Sequence, residues 1–141
     1  MNLSMKKKAL IPIVGLGVFC ILWPTLGQAQ SIESMPAVVV KTVPEAGAKD
    51  VAPGEMEIKV TFSKEMSDGS WSWSTAWQNS EPEFIGKPKY LSDHKTCVVK
   101  VKLEPGKTYG WWLNSQKFGN FRDKEGRSAV PYLLVFKVKG N

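Results

Sequence analysis

The chain has 141 residues, two cysteines, one histidine and a formal net charge of +6. This length allows one domain of ordinary size, and a single histidine excludes the usual zinc motifs. Without Lys6, Lys7 and Lys8 the net charge falls to +3, and the other basic residues form no dense patch, so we expect no nucleic-acid binding.

The first segment has the pattern of a secretory signal peptide. The three lysines precede an apolar run over residues 9–26, and Gly27-Gln28-Ala29 supplies the small residues of a cleavage site. We therefore predict a signal peptide over residues 1–29, a flexible leader over 30–36 and one domain over 37–141. The protein is then exported to the periplasm, the cell surface or the medium. The alternative is an uncleaved membrane anchor, which Pro12 and Pro24 disfavour.

The two cysteines predict no internal disulfide. Cys20 lies in the apolar run, and the bulky Val18 and Phe19 before it argue against a lipidation site. Cys97 is then the single cysteine of the processed chain, and it lies in a strand-like stretch with Val98 and Val99. We expect it to be buried as a small apolar residue rather than used as a reactive thiol.

Seven stretches have the composition or the period-two alternation of β-strands. The clearest is the second, in which Met56, Ile58, Val60 and Phe62 alternate with polar residues and are expected in the core. The predicted strands cover residues 38–43, 55–63, 71–77, 84–91, 96–103, 108–114 and 130–138. Proline and glycine within 84–91 restrict that stretch to a short or edge strand. No stretch shows helical spacing, so we predict an antiparallel β-sandwich of immunoglobulin-like type.

Three quoted stretches carry a family resemblance. Residues 39–66 read VVKTVPEAGAKDVAPGEMEIKVTFSKEM, residues 103–109 read LEPGKTY, and residues 121–126 read FRDKEG before a final strand. In this order the chain resembles the bacterial Ig-like domains first described in surface-layer proteins. The resemblance implies an Ig-like sandwich without enzymatic activity or cofactor, acting as a spacer, an adhesive module or a binding module on exported proteins.

A second resemblance is to periplasmic copper carriers of the copper-resistance type, which share the sandwich and a similar opening. Those carriers imply a site built from histidines, including one at the mature N-terminus, and in some members methionines. Here the only histidine is His94, and Met35, Met56 and Met66 form no cluster in the sequence. One imidazole does not supply the several ligands that Cu(II) requires. A metal-carrier-like sandwich without the usual ligands is therefore the alternative function, and we predict no metal site.

Tryptophans are the candidate binding residues. Trp71, Trp73 and Trp77 follow one another in the third predicted strand, where residues i and i+2 stand about 7 Å apart on one face. An outward face would stack a sugar ring or receive a protein partner, whereas an inward face would belong to the core. Trp73 fits the core better, and both orientations remain open for Trp71 and Trp77. Trp112 is the fourth candidate, since it and Trp111 must point in opposite directions.

Charged residues give little support to catalysis. Asp123 and Glu125 offer too few oxygens for a calcium ion, which takes about six to eight, so we expect a solvated turn. Glu81 and Glu83 flank a proline and do not face each other across a cleft. We expect no enzyme, and a protein or an envelope polymer as the partner.

Overall fold

The computed structural model describes Gly27 and residues 29–140. The predicted signal segment, residues 1–29, lies almost entirely outside the described residues. Among the residues described, no helix is long and apolar enough to cross a membrane.

Seven strands form two antiparallel sheets, which confirms the predicted all-β sandwich. The four-stranded sheet has the order β1-β2-β5-β4, and the three-stranded sheet has the order β3-β6-β7. Their bounds are β1 Val39–Val43, β2 Gly54–Phe62, β3 Trp73–Thr75, β4 Glu83–Tyr90, β5 Thr96–Leu103, β6 Thr108–Leu113 and β7 Tyr132–Lys137. The predicted third strand is much shorter than expected, because the chain leaves the sheet after Thr75.

The alternation read from the sequence decides which side chains fill the space between the sheets. In β2, Ile58, Val60 and Phe62 are buried as predicted, while Met56 near the strand's beginning is half-buried. On β5, Cys97 pairs with Val60 and is fully buried, which confirms its predicted burial. Burial raises its pKa to about 12, with a smaller contribution from Asp68.

The core has two halves along the strand direction. One half packs around Ile58, Tyr109 and Phe136, with Val138 beside them. The other packs around Phe62, Met66, Leu113 and Phe121. Trp73 and Tyr132 contact both halves.

The sheet edges differ in how they are protected. The β4 edge is interrupted by an irregularity between Ile85 and Lys89, as suits an edge strand containing glycine and proline. The β7 edge is covered by the segment before β2, where the Gly47 amide donates to the Val135 carbonyl at 2.7 Å and Val51 bridges Val138 in parallel. The β3 edge is protected by its shortness, because the strand has only three residues.

Candidate functional site

The outer face of the four-stranded sheet is charged. Glu55 on β2 pairs with Lys100 on β5, and Glu57 lies 3.6 Å from Lys59, with more than a third of each of these four side chains exposed. Exposed pairs of this kind add little stability, and they keep the face hydrated. This is an ordinary solvated surface.

The outer face of the three-stranded sheet is apolar instead. Because Tyr109 and Trp111 point inward, Gly110 and Trp112 point outward, and they pair with Val135 and Leu133 of β7. Leu133 is 39% exposed, and Trp112 and Val135 are half-buried. The three strands contain no acidic residue. We call Trp77, Gly110, Trp112, Leu133 and Val135 the tryptophan face.

Trp77 reaches this face from the turn that follows β3. The Ser80 hydroxyl accepts the amide protons of Ala76 and Trp77 at 2.9 and 3.2 Å and donates to the Gly110 carbonyl at 2.7 Å. A Cβ at Gly110 would lie 2.5 Å from Cη2 of Trp77, so the indole rests on the glycine backbone. Trp77 as a whole residue is nevertheless 44% exposed. Trp77 and Trp112, two of the predicted binding residues, thus lie on the same side of the molecule.

Trp73 has a different environment. It pairs with the inward-pointing Leu113 and makes edge contacts with Trp111 and Phe121 at centroid distances of 5.4 and 5.6 Å. It is therefore mainly a core residue, the orientation that the sequence favoured for it, although part of its surface remains accessible.

Trp71 lies before β3 begins, so the two-residue repeat of a strand does not place it beside Trp73. It is half-buried and packs against the Phe121 half of the core. Its Nε1 and that of Trp73 are buried and find no hydrogen-bond acceptor in the described part of the chain. The four predicted tryptophans therefore divide into two that share one face and two that lie beside a cleft.

This cleft runs along β3 and holds about 450 Å³. We call it the β3 cleft. Its lining comes from residues 71–75 and from the loop after β6. It is lined by Trp71, Ser72, Trp73, Ser74, Thr75, Phe118 and Asn120. Sequence reasoning missed Phe118 and Asn120, and its one available signal was a single large apolar residue in an otherwise polar loop. In the structure Phe118 is 48% exposed.

The prediction that Asp123 belongs to a solvated turn is wrong for its carboxylate. Its side chain is completely buried. One carboxylate oxygen accepts the amide protons of Glu125 and Arg127 at 3.1 and 2.8 Å. The other accepts from Arg127 Nε at 2.9 Å and from Lys64 Nζ at 3.2 Å. The turn residues on either side are exposed, but the carboxylate itself is a structural centre that joins β2's exit to the loop before β7.

The charges around Asp123 also bind the leader. Lys64 Nζ donates to the carbonyls of Glu33 and Met35 at 3.0 and 2.9 Å, and Arg127 donates to the Glu33 carbonyl. The leader, expected to be loosely held, is therefore fastened to the domain. Burial raises the pKa of Asp123, but hydrogen bonds from Arg127 and Lys64 outweigh it and hold that pKa below its ordinary value. Such a carboxylate stays ionised and stabilises the fold.

The residues considered for metal binding and catalysis form no common site in the described part of the chain. Across the described residues, no three His, Cys, Asp or Glu side chains lie close enough together to hold a metal ion. His94 is exposed in the turn before β5 with a φ of 52°, and Met66 is buried in the core. Glu81 and Glu83 are both exposed.

Seven strands in two antiparallel sheets around a shared core define an immunoglobulin-like sandwich. Residues 33–137 match the family model of the bacterial Ig-like domain, and the chain belongs to that family. Domains of this family are generally non-catalytic and are typically found in extracellular or surface proteins. No curated protein matches the sequence at a significant level.

Proposed function

We propose that this protein is an exported, non-enzymatic binding module of the bacterial envelope, related to the Ig-like domains of surface-layer proteins, and that it binds through the tryptophan face. The observation that carries the proposal is the contrast between the two outer faces. One carries the charged pairs of β2 and β5 and exposes apolar side chains on its edge strand β1, and the other presents Trp77, Trp112 and Leu133 at its centre.

The composition of the tryptophan face suits a binding surface. Tryptophan is enriched among residues that dominate binding energy, because a large rigid ring gains much contact at a small entropic cost. Trp77 rests on Gly110 and Trp112 is held between neighbours on β3 and β7, so both rings are positioned before a partner arrives. A preorganised surface loses less entropy on binding than a flexible one.

The envelope location rests on the sequence of residues 1–29 and on the family. A chain with an export signal and no disulfide framework must depend on its own core outside the cytoplasm, and this core supplies that support. The partner is then a protein or a polymer of the envelope.

The test uses the full chain, expressed with its export segment and purified from the bacterial envelope. The purified protein is mixed with isolated cell-wall sacculi and, separately, with solubilised envelope proteins. Trp112→Ala and Trp77→Ala should each reduce the bound fraction at least tenfold. Val40→Ala, at a position that is 58% exposed on the opposite sheet, is the matched control and should bind normally. Equal binding by all variants would overturn the assignment of this face, and no binding by the wild type would overturn the function.

A further inference from the structure

We infer that the β3 cleft binds a neutral sugar ring of an envelope polysaccharide. This inference rests on the proposed function, since it names the ligand class of a module that acts at the envelope, but it concerns a different set of residues from the tryptophan face.

The lining of the cleft selects a neutral amphiphilic ligand. None of its seven lining residues is ionisable, and the neighbouring Lys117 ammonium lies over the Phe118 ring, so the lining itself offers no charged group to pair with an ionic ligand. Its aromatic part is Trp71, Trp73 and Phe118, and its polar part is hydroxyls and one carboxamide. A sugar ring matches this mixture, because its C–H face stacks on an aromatic ring while its edge hydroxyls exchange hydrogen bonds with Ser74, Thr75 and Asn120.

The loop after β6 that lines the cleft is held in place by hydrogen bonds within the loop and to Ser72. The Ser115 amide donates to the Phe118 carbonyl at 2.7 Å, and the Ser115 hydroxyl accepts the Phe118 amide proton at 3.1 Å. The Asn120 amide donates to the Ser72 hydroxyl at 2.9 Å, which joins the loop to the segment before β3. The Asn120 backbone is thereby fixed and its exposed side chain is left available to a ligand.

Phe118 lines the cleft and lies beneath a lysine ammonium. Lys117 Nζ lies 5.4 Å from the centroid of the Phe118 ring, as in a cation–π contact, and covers one side of it. The ring is 48% exposed, which leaves the side away from the lysine for stacking.

An extended peptide is a poorer fit to this cleft. The Ser72 carbonyl accepts from the Asn114 amide and the Ala76 amide donates to the Gly110 carbonyl, so these residues turn their backbone groups toward β6. By alternation, Trp73 and Thr75 turn theirs toward the open edge. Two residues give too few hydrogen bonds for a peptide to be added as a strand, the mode that depends on main-chain pairing.

The cleft and the tryptophan face adjoin. Ser74 lines the cleft and stands directly opposite Trp112 in the strand register. A polysaccharide with one ring in the cleft can therefore continue over Trp112 toward Leu133, the partner of Trp112 on β7. A linear polymer uses both surfaces at once, whereas a single free sugar uses only the cleft.

The experiment titrates the full exported chain with neutral oligosaccharides of glucose, mannose and N-acetylglucosamine, followed by calorimetry and by tryptophan fluorescence. We expect at least one series to bind, with affinity rising with chain length. Phe118→Ala and Asn120→Ala should each weaken that binding at least tenfold while Tm stays unchanged, because both side chains are exposed. Val40→Ala, at a position that is 58% exposed on the other sheet and lines neither surface, should leave it unchanged.

Three results would overturn the sugar site. These are no binding of any neutral series, binding that survives both Phe118→Ala and Asn120→Ala, and saturable binding of an extended peptide at this edge in place of sugar. If the wild type still binds sacculi or envelope proteins through Trp112 in any of these cases, the proposed function stands and only the ligand class of the cleft is wrong. If the wild type binds neither sacculi nor envelope proteins, the proposed function itself has failed.

Discussion

Asp123→Asn should lower the free energy of unfolding by about 3 kcal/mol. The wild-type carboxylate is fully buried and accepts four hydrogen bonds, two from backbone amides and two from the side chains of Arg127 and Lys64. Asparagine can keep one oxygen for the backbone amides. It then turns an NH₂ group toward two cationic donors, so both charge-assisted bonds are lost.

The magnitude follows from how exposed the cations are. Removing one partner of a buried pair costs about 3–5 kcal/mol when the remaining charge stays buried. The side chains of Lys64 and Arg127 are 13% and 33% exposed, so water partly replaces the lost carboxylate and the lower end of that range applies. Urea unfolding followed by tryptophan fluorescence at pH 7 measures the difference.

The matched control is Glu125→Gln. Glu125 also contacts Lys64 and Arg127, but its side chain is 61% exposed, and its loss should cost less than about 1 kcal/mol. Equal losses for the two variants, or a loss below about 1 kcal/mol for Asp123→Asn, would refute the reasoning that burial makes the difference.

The stability difference between the wild type and Asp123→Asn should depend on pH. The folded pKa of Asp123 lies below its unfolded value, which is about 3.9, so the folded state binds fewer protons. The stabilisation is therefore fully present above the unfolded pKa and is lost as pH falls through the folded pKa. The stability gap between wild type and Asp123→Asn should stay constant above about pH 5 and shrink below about pH 4. A gap that persists unchanged to about pH 3 would contradict this assignment.

Three further changes test the packing. Gly110→Ala places a Cβ 2.5 Å from Cη2 of Trp77, so it should lower the free energy of unfolding by about 1–3 kcal/mol and shift the tryptophan emission. Adding Trp77→Ala to the same chain should restore most of that stability. No restoration would show that the indole does not pack on Gly110. Asn114→Ala removes three buried hydrogen bonds to the backbone of Phe121 and Ala129 and should lower Tm by roughly 12 °C, so a change within about 2 °C would contradict it. Cys97, with a pKa raised to about 12 mainly by burial, should resist a thiol reagent at pH 8 in the native protein and react in urea, whereas rapid native labelling would count against its burial.

The strands were predictable because their alternation is local information. Ile58, Val60 and Phe62 specify an inward face without reference to any other element, and so do Tyr109, Trp111 and Leu113. The predicted third strand, residues 71–77, is longer than the observed Trp73–Thr75 because contacts from outside the strand determine where it ends. Ser80 hydrogen-bonds Ala76 and the Gly110 carbonyl, and that bond turns the chain away from the sheet.

The candidate site was less predictable because its contacts join residues that are far apart in the sequence. Asp123 reads as part of a polar turn, and nothing near it in the chain shows that Lys64, 59 residues away, lies against it. Arg127, four positions later, was the one local signal of a paired carboxylate. The sequence singles out Trp77 and Trp112, but two non-local contacts place them on one face: the pairing of β6 with β7 positions Trp112, and the packing of the Trp77 indole on Gly110 positions Trp77.

The arrangement of the first and last strands has a mechanical consequence. β1 begins beside Phe62, in the half of the core around Phe121, whereas β7 ends beside Thr108, in the half around Phe136. The described chain therefore leaves the sandwich at opposite poles. Tension between the two poles would act along the strands and across the hydrogen bonds of β1 with β2 and of β6 with β7, so that these bonds resist in parallel rather than open one at a time. Under such tension the tryptophan face, which lies on the outside of β6 and β7, would be parallel to the direction of the force.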